Sequence, residues 1–144
     1  MCESVMYCEE NKIVKVYFAH PKAKLAVKCL AGEIDYVTWG RRHLEPGALP
    51  VGGWANHRSL RLGKWDKFFP INVKVLATEF MVKELATGLT NWYSLNPTQF
   101  IHGIIARSDQ EKRLYIVTLQ AEQGPFIGAW PRILNDRISS THNS

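Results

Sequence analysis

The alternation of apolar and polar residues predicts a chain built mainly of short strands. Residues 13–18 alternate partly and are rich in Val and Tyr, as a half-buried strand requires. Residues 25–30 and 34–39 read as two more strands, joined by a turn at Ala31-Gly32. Residues 71–76, 91–95, 100–107 and 113–119 follow the same pattern, the last two linked by a polar hairpin loop over 108–112. Residues 78–86 fit either a short helix or a strand running into a turn. Residues 121–124 fit one helical turn, and residues 130–134 a final strand. From Asn135 the chain is polar, and residues 139–144 are expected to fray.

Between residues 40 and 63 the periodicity stops. Pro46, Gly47, Pro50, Gly52, Gly53 and Gly63 break any long regular element. The same stretch carries Arg41, Arg42, His43, His57, Arg58 and Arg61. A long irregular segment inside a compact domain is usually functional or disordered. Strands separated by turns, with few helices, predict an α+β fold: a mainly antiparallel sheet, barrel-like or a sandwich, with short helices at its side. Residues 1–138 are expected to form one domain, with 139–144 as a polar tail.

Composition narrows the class without choosing a function. The 144 residues are 46% hydrophobic and 22% charged, the balance of an ordinary globular chain. No apolar run approaches the roughly 18 residues of a membrane span. The N-terminus lacks a basic region followed by an apolar stretch, so no signal peptide is expected and the reading is cytoplasmic. The odd set Cys2, Cys8 and Cys29 contains no Cys-x-x-Cys pair and reads as free thiols. Cys8, on an apparent strand, and Cys29, in an apolar run, read as small core residues. His20, His43, His57, His102 and His142 are too scattered to complete a zinc site, so no metal is expected. No cofactor is implied, and a monomer is expected. The net charge of +5 favours phosphate-bearing partners, although charge alone is weak support.

Cys2 is the candidate nucleophile. Once the initiator Met1 is removed, the chain begins with an amine and a thiol on adjacent carbons. The amine, with a pKa near 8, is partly neutral at physiological pH and attacks aldehydes. The thiol then closes a five-membered thiazolidine on the imine carbon. That chemistry requires an exposed cysteine with a suitable thiol pKa. The plainer alternative is that Cys2 is simply the second residue of the chain.

The order of several short motifs resembles the SOS response-associated peptidase (SRAP) family. The chain begins Met1-Cys2. Trp39-Gly40 follows an early strand, and Trp54-Ala55-Asn56-His57-Arg58-Ser59 stands where the family has Asn-Ala-Arg-x-Glu-Thr. Phe80-Met81-Val82-Lys83 is similar to the family's Phe-Tyr-Glu-Trp. The stretch from Tyr115 to Gly124 is similar to its Ile-Val-Thr strand and helical turn. The chain then runs Phe126-Ile127-Gly128-Ala129-Trp130-Pro131 where the family has Ile-His-x-Arg-Met-Pro. The resemblance covers most of residues 1–134. It implies an SRAP-like fold, recognition of abasic sites in single-stranded DNA, capture of the ring-opened sugar by Cys2 as a thiazolidine crosslink, and autoproteolytic release of the N-terminal residue.

The departures fall on the acid–base groups. The family's Glu, which assists proton transfer and opening of the sugar, falls on Val82, which can do neither. Its His falls on Ile127 or in a two-residue deletion. Its Asn and Arg fall on Trp54 and Asn56. A register shift of one or two residues would instead put His57-Arg58 in the basic site and bring His102 in from a neighbouring strand.

For DNA contact the candidates are Trp39, Arg41, Arg42, Trp54, Asn56, His57 and Arg58. Single-strand binders combine cations along the backbone with aromatic faces for the bases, each stack contributing about 1–3 kcal/mol. Trp39 also ends an apolar strand, which favours a core position. Trp92 and Trp130 read as core. Arg41 and Arg42 follow a strand, where a loop would hold them in solvent. Two other readings stay open: a degenerate relative that binds nucleic acid without covalent chemistry, and an unrelated N-terminal-cysteine hydrolase.

Overall fold

The computed structural model describes residues 2–84, 87–121 and 128–136. The chain opens with β1 (Cys2–Glu9) and turns back through Glu10 and Asn11 into β2 (Lys12–Tyr17). Those two turn residues have φ of 48° and 65°, the pair of left-handed conformations that closes a tight hairpin in step with the strand twist. Next come β3 (Lys24–Lys28) and β4 (Ile34–Thr38), then β5 (Trp54–Asn56), helix α1 (His57–Arg61) and one 3-10 turn at Asp66–Phe68. The remaining strands are β6 (Ile71–Val75), β7 (Glu79–Lys83), β8 (Thr90–Ser94), β9 (Gln99–Ser108), β10 (Glu111–Ala121), β11 (Gly128–Pro131) and β12 (Ile133–Asn135).

The strands form two sheets. The smaller has the order β2-β1-β7-β8 and is antiparallel throughout. The larger runs β11-β10-β9-β6-β3-β4, with β12 also on β9 and β5 lying parallel to β10. Neither sheet closes into a barrel among the described residues, and the two share one core. Residues 78–86 resolve in favour of a strand, β7, with Leu85 and Ala86 outside the described residues. The expected strand over 130–134 is two strands, β11 on β10 and β12 on β9, with Arg132 between them. Of the helical turn expected at 121–124, Ala121 ends β10 and the rest lies outside the described residues, as does the tail over 139–144.

Period-two alternation gives the larger sheet two buried faces. On β9, Ile101 and Ile105 turn toward the smaller sheet, where Val5, Phe80 and Val82 meet Leu25, Val27, Val75, Leu114 and Ile116. Ile104 and Ala106 turn the other way, into a second cluster with Leu49, Ala55, Trp65, Tyr115 and Val117. The segment expected to be an irregular loop supplies Leu49 and Ala55 to that cluster, Trp65 just beyond it joins them, and together they cap this face. Trp65 meets Tyr115 edge-on at 4.9 Å, and the Tyr115 hydroxyl donates to the Pro50 carbonyl at 2.6 Å.

Ionic contacts pin the same cap from its rim. The Glu111 carboxylate accepts from the amides of Ala48 (2.9 Å) and Leu49 (3.3 Å) and pairs with Arg113 Nε at 2.7 Å. Arg113 Nη1 also donates to the Gly40 carbonyl at 2.8 Å. Two cysteine expectations fail: Cys8 is exposed and Cys29 is half-buried at the edge of the first cluster. Trp92 is also half-exposed, with Lys15 Nζ 5.4 Å from its ring. No described helix is long and apolar enough to cross a membrane.

Candidate nucleic-acid interface and the setting of Cys2

Cys2 starts β1 and lies directly across from Val82 of β7. Its register shifts before Ser4, which turns the Cys2 side chain into the core between the sheets. The residue is fully buried, and its Sγ makes one long contact to the Ser4 carbonyl at 3.7 Å. Burial pushes the thiol pKa up to about 12, because the thiolate would have to form away from water. An activated cysteine has the opposite environment.

Trp54 closes the site from the larger sheet. Its indole Nε1 donates to the Cys2 carbonyl at 2.6 Å. The ring packs on Phe18 at 4.8 Å and on Trp39 at 6.2 Å, making an aromatic trio beside Cys2. Gly53 is required here: a Cβ at this position would meet Trp39 Nε1 at 2.6 Å and Phe18 Cδ1 at 2.7 Å.

Three of the expected DNA contacts are structural instead. Trp39 is fully buried and donates its indole N–H to the Gly53 carbonyl at 2.9 Å, so it offers no face to a base. Arg41 turns inward and donates to the carbonyls of Leu49 and Glu45, both at 2.6 Å. Arg42 lies 4.4 Å from the Phe18 ring centroid, donates Nε to the Phe18 carbonyl at 2.8 Å, and pairs with Glu45 at 3.4 Å. Its Nη2 is buried without a partner among the described residues. These two arginines satisfy carbonyls that the cap leaves outside any ladder.

Of the remaining four, Trp54 packs beside Cys2, while Asn56, His57 and Arg58 converge. Asn56 caps α1, its Oδ1 accepting from the amides of Arg58 (2.9 Å) and Ser59 (3.2 Å). His57 is half-buried, while Arg58 and Arg61 are exposed. Together they line a groove of about 470 Å³ with Thr118 and Gln120 of β10. Burial lowers the His57 pKa, and the charges of Arg132 and Arg61 lower it further. Arg132 therefore belongs to the same electrostatic neighbourhood, a residue that sequence reasoning missed. Its only signal was a basic residue after Pro131, between two pieces of one supposed strand.

His102 does not approach Cys2. It alternates with Ile101 and Gly103 on β9 and so turns to the opposite face of the larger sheet. Ile127, the other position of interest, lies outside the described residues. Among the described residues no group of three His, Cys, Asp or Glu side chains stands close enough to hold a metal ion. Comparison with family models, curated proteins and solved structures finds no match.

Proposed function

We propose that this chain is an SRAP-like domain that binds single-stranded nucleic acid without covalent chemistry. The observation that carries the reading is the cationic rim of the α1 groove. Arg58 and Arg61 are exposed there, and Arg132 is near enough to act on His57. Exposed guanidinium groups bind phosphates and release counterions. The burial of Cys2 and its apolar neighbour Val82 favour the non-covalent form of the reading.

Fluorescence anisotropy with a labelled oligothymidylate tests it. Affinity is expected to fall with salt, and the double variant Arg58→Gln/Arg61→Gln is expected to bind at least fivefold more weakly. Its salt slope should be shallower, by about 0.7 for each phosphate that the variant no longer neutralises. Equal affinity in the double variant would sink the proposal.

A covalent reading has one observation in its favour. Two positions that the resemblance aligns with the family's acid–base and binding residues, Val82 and Trp54, both stand against Cys2. In that reading Cys2 captures an abasic aldehyde slowly, after the sugar opens spontaneously. Intact mass after incubation with an oligonucleotide carrying one abasic site decides it. An adduct absent from Cys2→Ala supports capture. No adduct, with Met1 removed, leaves the binding module alone.

A further inference from the structure

We infer that the larger sheet carries a second anion site, shaped for a phosphate monoester attached to a flat apolar ring, the chemistry of a nucleotide unit. The register places it. Lys28 of β3 lies across from Lys74 of β6, and Lys74 lies across from His102 of β9. Partners directly across an antiparallel ladder point to the same face. The His102 amide donates to the Arg132 carbonyl at 2.9 Å, which brings Arg132 to the end of the row. Strands are spaced about 4.8 Å apart, so the Lys28 and Lys74 positions stand one strand apart on this face.

All four side chains line one groove of about 430 Å³. Phe100 and Leu134 form its apolar wall, and Asn72 adds an amide. Small-ligand sites have this make-up: an apolar body with a few convergent polar groups. The groove is lined by different residues from the α1 groove and excludes Cys2, and Arg132, whose charge reaches His57, stands between the two.

Arg132 is held ready for an anion. A guanidinium only donates, so His102 Nδ1 must accept from Arg132 Nη1 at 3.0 Å. His102 Nε2–H then donates to Asn72 Oδ1 at 2.7 Å. The imidazole is therefore neutral and fixes Arg132 without placing a like charge beside it. Among the described residues one of the five Arg132 donors is used, and the planar fork suits a phosphate. Lys74 pairs with Asp136 at 3.0 Å across a partly exposed contact, and an arriving phosphate competes with that carboxylate. Lys74 Nζ also lies 5.0 Å from the Phe100 ring centroid, so charge and aromatic surface meet at one point of the groove.

Calorimetry at low salt with adenosine monophosphate, adenosine and inorganic phosphate tests the site. The monophosphate is expected to bind at least tenfold more tightly than either half. Lys28→Gln/Lys74→Gln should weaken it at least tenfold with the thermal midpoint unchanged, and Arg132→Lys should also weaken it. Amide chemical shifts of the wild-type protein should move at Lys28, Asn72, Lys74 and His102. Monophosphate binding no tighter than inorganic phosphate, equal binding by the double variant, or shifts confined elsewhere would overturn the inference. A short oligothymidylate that displaces the monophosphate assigns the phosphate to a strand; one that binds without displacing it assigns the site to a free nucleotide.

Discussion

At the scale of single residues, accessibility orders the three thiols. Cys8 is exposed, Cys29 is half-buried and Cys2 is fully buried with its pKa held near 12. Iodoacetamide at pH 8 is expected to label Cys8 first, Cys29 more slowly, and Cys2 only after unfolding; peptide mapping by mass spectrometry reads the order. Trp54→Ala removes both the lid over Cys2 and the hydrogen bond to its carbonyl. The variant is expected to lose roughly 2–3 kcal/mol, below the usual range for a fully buried Trp because Trp54 is only half-buried. It should also make Cys2 alkylable in the folded state. Unchanged protection of Cys2 would show that the smaller sheet alone shields it.

His102 gives a second residue-scale prediction. Burial, then the charges of Arg132 and His57, hold its pKa down to about 4. In the unfolded chain the imidazole takes up its proton near 6.5. Between those values the unfolded chain binds more protons, so stability is full above the window and falls as pH falls through it. The thermal midpoint of the wild type is expected to drop between pH 7 and pH 5, and that of His102→Gln to drop less. The lowered carboxyl pKa values of Asp35, Glu45 and Glu111 act at lower pH, outside this range.

At the scale of elements, most strands were legible because a half-buried strand alternates and its turns carry Gly, Asn or Asp. β1 was harder to read, since the register shift between Cys2 and Ser4 breaks its alternation. The division of β11 from β12 was hidden too, because it reflects two different pairing partners and not a change in residue type. The arginines of the cap misled for a related reason. Whether a guanidinium faces water or a carbonyl depends on a loop path that the local sequence does not encode. Cys2, Trp54 and the run from Asn56 to Arg58 were visible as candidates, but Arg132 joins them only through the fold. Gly53→Ala checks the tightness of the cap. A methyl group there meets the Trp39 and Phe18 rings, and overpacking of this kind costs about 1–3 kcal/mol. Urea denaturation should show it as a lower midpoint at unchanged slope.

At the scale of the molecule, two clusters share one sheet. The first is sealed by the smaller sheet and the second by the cap, so β9 and β10 are buried on both sides over much of their length. Native-state hydrogen exchange is expected to protect the amides of Ile104, Ile105, Tyr115 and Ile116 most strongly. The edge strands β2, β4 and β8 should exchange earlier. Faster exchange in β9 than in β2 would mean that the two clusters do not hold the sheet as one unit.

β1 lies inside its sheet, not at an edge, and its two neighbours come from opposite parts of the chain. β2 follows it immediately, whereas β7 is many residues away. During synthesis the β1–β2 hairpin therefore leaves the ribosome with one row of backbone groups unmatched. It waits for residues 79–82 before Cys2 and Val5 can be enclosed. Until β7 arrives, the Cys2 thiol is open to solvent and to electrophiles. The docking of β7 on β1 is thus the step that withdraws the Cys2 thiol from solvent.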